Sequence, residues 1–171
     1  RWVMASELHV DAIKHSGGTS AMTIDSSGRV LSPSVPCFYV YNNNTDFSGA
    51  SWQKWGANVA VTNNGSHFDL SNDRFTAPVA GNYFMAWHSL ARNTGSGMRV
   101  AWYKNGAKLN NPSTANASDI YNAQANEINI AMTGIFSLNA TDYIEVYYNA
   151  ASGDLYGNSN HHNAWTGYLI G

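Results

Sequence analysis

Cysteine is almost absent from this sequence, and Cys37 is the single example among its 171 residues. A lone cysteine excludes a disulfide framework and a cysteine-ligated zinc site within the chain. Because secreted animal domains usually carry paired cysteines, the single thiol favours a protein that is assembled inside a cell. Met4 is followed by the polar stretch Ala-Ser-Glu, so we expect no signal peptide here.

Charge is also scarce, because Asp, Glu, Lys and Arg together make up 12% of the chain. The nine Lys and Arg residues are scattered and the formal net charge is −2, so the basic stripe typical of nucleic acid binding is missing. No apolar run approaches the roughly 20 residues that a membrane-spanning helix needs. The sequence therefore predicts neither a nucleic acid partner nor membrane insertion.

The side chains that commonly carry catalysis form no recognisable pattern. Three Glu residues are present, and no two carboxylates are spaced as a glycoside hydrolase would need. The sequence lacks G-x-S-x-G, H-E-x-x-H and the glycine-rich phosphate loop. Cys37 begins an apolar stretch and is interpreted as a small core residue rather than a nucleophile. We therefore predict that the protein is not an enzyme and uses no catalytic cofactor.

Aromatic residues, at 13%, and polar Asn, Ser, Thr and Gly are abundant. From Cys37 onward, short apolar runs alternate with turn pairs such as Asn105-Gly106 and Gly153-Asp154. The Asn-, Ala- and Ser-rich stretch 107–126 is predicted to be a long surface loop. Because no segment has helical periodicity, we predict an all-β fold, a β-sandwich of the jelly-roll or Greek-key type. The predicted strands are 37–41, 57–61, 67–70, 75–77, 81–89, 98–104, 127–138, 143–149 and 163–170.

Residues 1–36 differ from the rest of the chain. They form short alternating runs separated by turns at Ser16-Gly17-Gly18 and at residues 25–28, followed by the extended linker "SPSVP". A short β-ribbon with so few apolar side chains is marginal in water. It must pack on the main domain, on copies of itself or on another protein. We predict an attachment or oligomerisation segment over residues 1–36 and a head domain over 37–171, with these attachment residues: Leu8, Val10, Ile13, Ile24 and Val30.

The segments "GSHFDLSNDRFTAPVAGNYFMAW", "VAWYKNGAKL", "MTGIFSLNATDYIEVYY" and "WTGYLIG" resemble the complement globular-head family, which belongs with the tumour-necrosis-factor-like jelly rolls. The resemblance covers about residues 37–171. It implies a ten-stranded jelly roll that assembles as a tight homotrimer, with strands near both termini of the head and the strand after Asp142 along the threefold axis. It also implies partner recognition through outer loops and the trimer apex. The matching positions are Phe68, Asp69, Phe75, Ala77-Pro78-Val79, Gly81, Tyr83-Phe84, Lys104-Asn105-Gly106, Leu138, Asp142, Val146 and Gly167-Tyr168-Leu169.

The leader "ASELHVDAIKHSGGTSAMTIDSSGRVL" is similar to repeated leaders of fibre and appendage proteins from marine tailed bacteriophages, where such ribbons precede a trimeric β head. This resemblance covers about 28 residues. It implies a virion protein whose N-terminal segment contacts other virion proteins.

Four aromatic residues fall outside the predicted central strands, beside Asn and Asp residues. A ring face can cover the apolar side of a sugar while amides and carboxylates bind its hydroxyls, so these residues are candidate ligand-binding positions. The alternative for the two Trp residues is packing beneath their own loop. Three further Trp residues, at 87, 102 and 165, lie in predicted strands and are assigned to the core or an interface. The four candidates are Trp52, Trp55, Tyr121 and Tyr156.

Two places are candidates for metal binding. Adjacent residues in a strand point to opposite faces, so His161 and His162 cannot easily share one ion within a chain, although three copies around an axis could. Asp142 lies at a turn and is a candidate calcium ligand, because relatives of this fold bind calcium near the trimer apex. The alternatives are a solvated loop for the histidines and a turn-capping side chain for Asp142. No cofactor is predicted beyond such a metal at the trimer axis.

These observations lead to a main hypothesis with two alternatives. The main hypothesis is a non-enzymatic phage virion protein, a trimeric fibre or appendage head that recognises a host-surface glycan or protein through outer loops. The first alternative is a capsid decoration or cement protein anchored by the N-terminal ribbon. The second is a secreted complement-like lectin.

Overall fold

The computed structural model describes residues 9–92, 97–109, 117–120, 127–157 and 162–171; for residues 117–120 and 151–152 it describes the backbone alone. The chain divides into two compact units, Arg1–Val35 and Pro36–Gly171. Pro36 belongs to the second unit, because it is buried and its carbonyl accepts the Leu169 N–H at 3.0 Å.

The described residues are folded as strands and turns, without a helix. In the same ranges there is accordingly no helix long and apolar enough to cross a membrane. The strands are β1 Ala12–Lys14, β2 Ser20–Ile24, β3 Val30–Leu31, β4 Cys37–Tyr41, β5 Phe47–Lys54, β6 Val59–Asn64, β7 Phe68–Asp69, β8 Arg74–Thr76, β9 Gly81–Arg92, β10 Met98–Lys104, β11 Ala107–Lys108, β12 Ala117–Ile120, β13 Ile128–Leu138, β14 Tyr143–Leu155 and β15 Asn163–Leu169.

The first unit contains an antiparallel three-stranded sheet in the order β1-β2-β3. The turn between β2 and β3 is held by Asp25, whose carboxylate accepts the backbone N–H groups of Ser27 and Arg29. The Arg29 side chain donates to the same carboxylate at 2.7 Å. Side-chain bonds of this kind explain why Asp-Ser-Ser-Gly forms a turn here.

The second unit is a sandwich of two antiparallel layers. One layer has the order β13-β9-β15-β4-β6. In the other layer, β14 pairs with β10 on one side and with β5 and β8 on the other. The end of β14 also pairs with β9, so the two layers meet at one corner, where Leu155 lies opposite Ala91. This arrangement confirms the predicted all-β jelly-roll class.

The space between the layers is filled mainly by aromatic side chains, because alternate residues of each strand point inward. Trp165 lies at the centre, with its ring centroid 5.1 Å from Phe68, 5.3 Å from Phe38 and 5.5 Å from Trp102. Phe75, which follows the turn after residue 72, is 1% exposed and stacks on Phe38. The buried positions of Trp87, Trp102 and Trp165 confirm their assignment to the core.

Three local predictions need correction, whereas the Asn105-Gly106 turn is confirmed by positive φ at both residues. The segment 47–54 was not predicted as a strand, but it forms β5. The predicted loop 107–126 contains β11 and β12. Gly153 does not begin a turn between strands; it lies within β14 with φ of 80°, where the register against β5 shifts. A glycine with positive φ is the usual requirement of such a bulge.

Candidate functional site

The solvent side of the β13-β9-β15-β4 layer is apolar. Phe84 of β9 lies opposite Ile135 on one side and opposite Tyr168 on the other, and Tyr168 in turn lies opposite Cys37. Ile135 is 64% exposed and Tyr168 is 47% exposed. The Phe84 and Tyr168 rings have centroids 5.4 Å apart, so they form one aromatic surface.

The next set of paired residues across the same face is also uncharged. Ala86 lies opposite Thr133 and Thr166, and Thr166 lies opposite Tyr39. A shallow depression of about 190 Å³ lies beside them, lined by Cys37, Phe38, Tyr39, Thr62, Thr166, Gly167 and Tyr168. We call this surface, formed by the outward side chains of β13, β9, β15 and β4, the apolar face.

His88 is the ionisable imidazole of the apolar face. It lies opposite Ala131 and Ala164, and burial lowers the pKa of its imidazole. A lowered pKa keeps His88 neutral near pH 7. Since none of the paired residues in these rows carries a formal charge at that pH, the apolar face has the character of an interface with another protein surface.

A second cluster lies on the solvent side of the other layer. The Tyr103 ring of β10 stacks on the Tyr147 ring of β14 with centroids 3.9 Å apart and an interplanar angle of 24°. The half-buried Trp52 of β5 packs beside Tyr103 at 6.3 Å. The ammonium of Lys108 lies 4.1 Å from the centre of the Trp52 ring. We call Trp52, Tyr103, Tyr147 and Lys108 the outer aromatic patch.

An ion pair with a buried carboxylate and a half-buried lysine lies next to this patch. Glu145 is two residues before Tyr147 on β14, is 4% exposed, and accepts from the Lys54 ammonium at 2.6 Å. Burial acts to lower the pKa of Lys54, but the hydrogen bond and charge of Glu145 outweigh it and raise that pKa. Burial also raises the pKa of Tyr103 and of Tyr147, so both phenols keep their protons at neutral pH and can donate hydrogen bonds.

A third cluster lies where β14 ends and β15 begins. Arg92 donates to Asp154 at 2.8 Å and to Asp46 at 2.6 Å, and its guanidinium lies 4.0 Å from the centre of the Tyr156 ring. The His162 ring packs on the Tyr156 ring, with the two centroids 4.8 Å apart. Because both carboxylates are already paired with Arg92, the cluster is a structural clamp for this end of the sandwich.

The predicted ligand-binding aromatics separate into different environments. Trp52 and Tyr156 are half-buried at the surface, in the outer aromatic patch and the Arg92 cluster respectively. The interpretation of Trp55 as a ligand residue is wrong, because its side chain is 0% exposed and packs against Trp87 and Trp165 in the core. Tyr121 lies outside the described residues.

The candidate metal ligands are not brought together. Asp142 precedes β14 and His162 follows it, so a strand of thirteen residues separates them; His161 lies outside the described residues. No cluster of three or more His, Cys, Asp or Glu side chains able to hold a metal occurs in the part of the chain that the structure describes.

Asp142 itself does not fit a calcium ligand. Its carboxylate accepts from Lys104 at 2.8 Å, from the Asn105 amide at 2.7 Å and from the Asn139 backbone N–H at 2.8 Å. Chiefly the Lys104 hydrogen bond, followed by the other two, lowers the pKa of Asp142 to about 2. The oxygens of this carboxylate are committed to donors, one of them a cation, and the side chain is a turn cap.

Three members of the outer aromatic patch were not singled out by the sequence analysis, namely Tyr103, Tyr147 and Lys108. A signal was available for one of them, since Tyr147 alternates with Glu145 and Tyr143 on the side of β14 that points away from the core. Tyr103 could not be assigned to the patch without the β10–β14 register, which places Ala101 opposite Tyr147.

The fold is shared with solved structures that are distant in sequence. The globular domain of zebrafish complement 1qA protein is similar with a TM-score of 0.57 and 16% identity, over 80% of this chain and 98% of that chain. Murine APRIL, in a crystal structure at pH 8.5, is similar with a TM-score of 0.60 and 15% identity, over 80% of this chain and 99% of that chain. These likenesses define the class, a jelly roll of the complement and tumour-necrosis-factor-like type.

The C1q domain family model matches residues 37–170. The chain therefore belongs to the C1q domain family. Domains of this family typically form homotrimers and bind ligands, and they are generally recognition modules rather than enzymes.

Proposed function

We propose that this chain is a homotrimeric, non-enzymatic recognition protein that binds a carbohydrate on a host-cell surface. The outer aromatic patch is the observation that carries the proposal. Solvent-facing positions of an antiparallel sheet are usually polar, whereas here Trp52, Tyr103 and Tyr147 adjoin one another on three strands. Such a group of rings on a solvated sheet is a candidate binding surface.

The chemistry of the patch suits a sugar better than a purely apolar ligand. Aromatic rings offer flat apolar surface that can cover the C–H face of a pyranose. The protonated phenols of Tyr103 and Tyr147 and the ammonium of Lys108 offer hydrogen-bond donors beside those rings. An acidic sugar would gain further from Lys108, because no carboxylate of the described residues forms an ion pair with that ammonium.

The homotrimer is supported by the apolar face as well as by the family. In a trimer formed through this face, Ile135, Phe84 and Tyr168 lose their contact with water. The outer aromatic patch belongs to the opposite layer and stays accessible in all three copies. β14, which follows Asp142, also lies in that opposite layer, so in this arrangement it does not join β4 and β15 at the axis.

We further propose that the protein is part of a phage particle, with the first unit connecting the head to other virion proteins. Its support is the resemblance of the leader to phage appendage leaders. The capsid decoration alternative requires the same head and ribbon but no host ligand. Binding measurements therefore separate the two roles.

The test is binding of the purified full chain to a printed panel of bacterial surface polysaccharides. We expect specific binding that Trp52→Ala weakens about tenfold or more, by analogy with nucleobases, for which stacking on one aromatic ring contributes on the order of 1–3 kcal/mol. Lys108→Ala should weaken binding as well, because it removes the hydrogen-bond donor that lies over the Trp52 ring. Tyr156→Ala is the matched control, because it removes a half-buried aromatic ring from the Arg92 cluster. Equal losses in all three variants, or binding unaffected by the first two, would contradict the assignment.

A further inference from the structure

One face of the small sheet in the first unit is apolar and uncovered. Ile13 of β1 lies directly opposite Met22 of β2, and Ile24 of β2 lies directly opposite Val30 of β3. Met22 and Ile24 are two residues apart on one strand, so all four side chains project from the same face. Their exposed fractions lie between 36% and 59%. We call these four side chains the ribbon face.

The other face of the same sheet differs. Ala12 lies opposite Thr23, and Thr23 lies opposite Leu31. Ala12 and Thr23 are half-buried, and Leu31 is 48% exposed. The larger apolar side chains are thus concentrated on the ribbon face. Such a difference between the two faces is typical of an antiparallel sheet that packs one face against another surface.

The described part of the first unit, residues 9–35, has no core with which to cover this face. None of residues 9–35 is buried, although the backbone of the sheet is hydrogen-bonded and both turns are well formed. A small ribbon of this kind is marginal in water unless a further surface packs against it. Among the described residues of this unit, the ribbon face is the larger apolar surface that lacks a covering surface.

The net charge of the first unit and the small area of the ribbon face both restrict which partner can cover that face. The formal charges of the described part of the unit, Asp11 and Asp25 against Lys14 and Arg29, sum to zero, so copies of the unit do not repel one another. Four side chains per copy also offer far less than the roughly 800 Å² per partner that an independent stable interface needs. The ribbon face therefore requires a partner that is already held nearby.

We propose that the ribbon faces of three chains pack on one another and close a small apolar core between them. The inference rests on the proposed trimer of the head. In that trimer each first unit is tethered at Val35, two residues before β4, and β4 contributes to the apolar face. The tether raises the effective concentration of the three ribbons to the millimolar range, which compensates for the small area of each face.

This packing defines which surfaces of the ribbon remain for attachment. The ribbon face is buried between copies, so contact with other virion proteins falls to the opposite face and to the edges of β1 and β3. Ile13, Ile24 and Val30 then act first in self-association. This assigns them a different role from the attachment role predicted from the sequence.

The experiment uses two variants of the full chain, each with a single cysteine, which lies on the ribbon face in one variant and on the opposite face in the other. Cys37→Ala removes the native thiol, and Val30→Cys or Leu31→Cys supplies a new one on adjacent residues of β3. With a mild oxidant at micromolar protein, which couples neighbouring thiols without a linker having to enter the packed core, we expect interchain disulfide formation at position 30 to exceed that at position 31 about tenfold or more. Equal disulfide formation at the two positions, or a position 30 thiol that stays free in the oxidised trimer, overturns the proposal.

Measuring the solution mass of each sample before cross-linking separates this inference from the proposed trimer. A trimeric sample whose position 30 does not cross-link refutes the ribbon packing alone. A monomeric sample refutes both. Ile24→Asp, compared with Leu31→Asp, gives an independent readout: we expect the first substitution, but not the second, to lower the temperature at which the full chain loses its trimeric mass.

Discussion

Replacing Ile135 with Asp is expected to dissociate the trimer without unfolding the head. Ile135 projects from β13 into solvent and is 64% exposed, so the substitution removes few contacts within its own chain. In the proposed trimer the same position faces another protomer. The variant therefore separates assembly from folding.

The expected loss of trimer stability follows from the exposed fraction of the Ile135 side chain. Full burial of an Ile side chain stabilises by about 1.5–3 kcal/mol, so covering the exposed two thirds of Ile135 contributes about 1–2 kcal/mol per protomer. Over three protomers the loss is about 3–6 kcal/mol. Three buried carboxylates add a desolvation cost of several kcal/mol each. Because 1.4 kcal/mol corresponds to tenfold in an equilibrium constant, dissociation should be favoured by a factor of about 10⁴ or more.

The assay is sedimentation at micromolar concentration together with circular dichroism. We expect the Ile135→Asp variant to sediment as an 18.6 kDa monomer while it keeps the β spectrum of the unmodified protein. Val79→Asp is the control, because Val79 is 48% exposed but lies between β8 and β9, outside the apolar face. A trimeric Ile135→Asp variant would show that the apolar face is not the interface.

Three further predictions concern stability. Trp165→Ala should lower the free energy of unfolding by about 3–5 kcal/mol in denaturant titration, since it removes a fully buried indole from the core, and a loss below about 1 kcal/mol would contradict that role. Asp142 has a pKa in the folded state below its ordinary value, so its contribution is present above about pH 4 and is lost as the pH falls towards 2. Asp142→Asn should accordingly be less stable than the unmodified protein at pH 7, and the difference should shrink as the pH falls from about 4 through 2 in the same titration. Lys54→Met should destabilise by about 2 kcal/mol or more because it leaves Glu145 buried without its partner. Adding Glu145→Gln should restore part of the loss, and a double variant less stable than the single one would refute the pairing.

The sequence predicted the strands that consist of dense apolar and aromatic runs, and it missed the strands that lack such runs. β5 has a single buried residue, Phe47, so its Gly- and Ser-rich sequence carries no period of two. β11 and β12 pair with β10 through their backbones, whereas their Ala-, Ser- and Asn-rich surroundings have the composition of a loop. Backbone pairing leaves little trace in side-chain chemistry.

The candidate site was predictable only in part. Trp52 and Trp55 have the same composition around them, yet one is half-buried at the surface and the other is in the core. Because the two residues are three positions apart, an odd number, their side chains point to opposite faces of an extended strand. This alternation could have distinguished them once the strand β5 was known. The pairing of Tyr103 with Tyr147 depends on strand register, which arises from long-range contacts that a local pattern does not contain.

The most direct test of the account is the solution mass of the unmodified full chain, measured by light scattering over a dilution series. A homotrimer has three times the chain mass of 18.6 kDa, about 56 kDa, and the account predicts this value down to low micromolar concentration. A mass of 18.6 kDa across the series would contradict it, because the apolar face would then remain exposed to water and the three-copy arrangement of patches and ribbons would not exist.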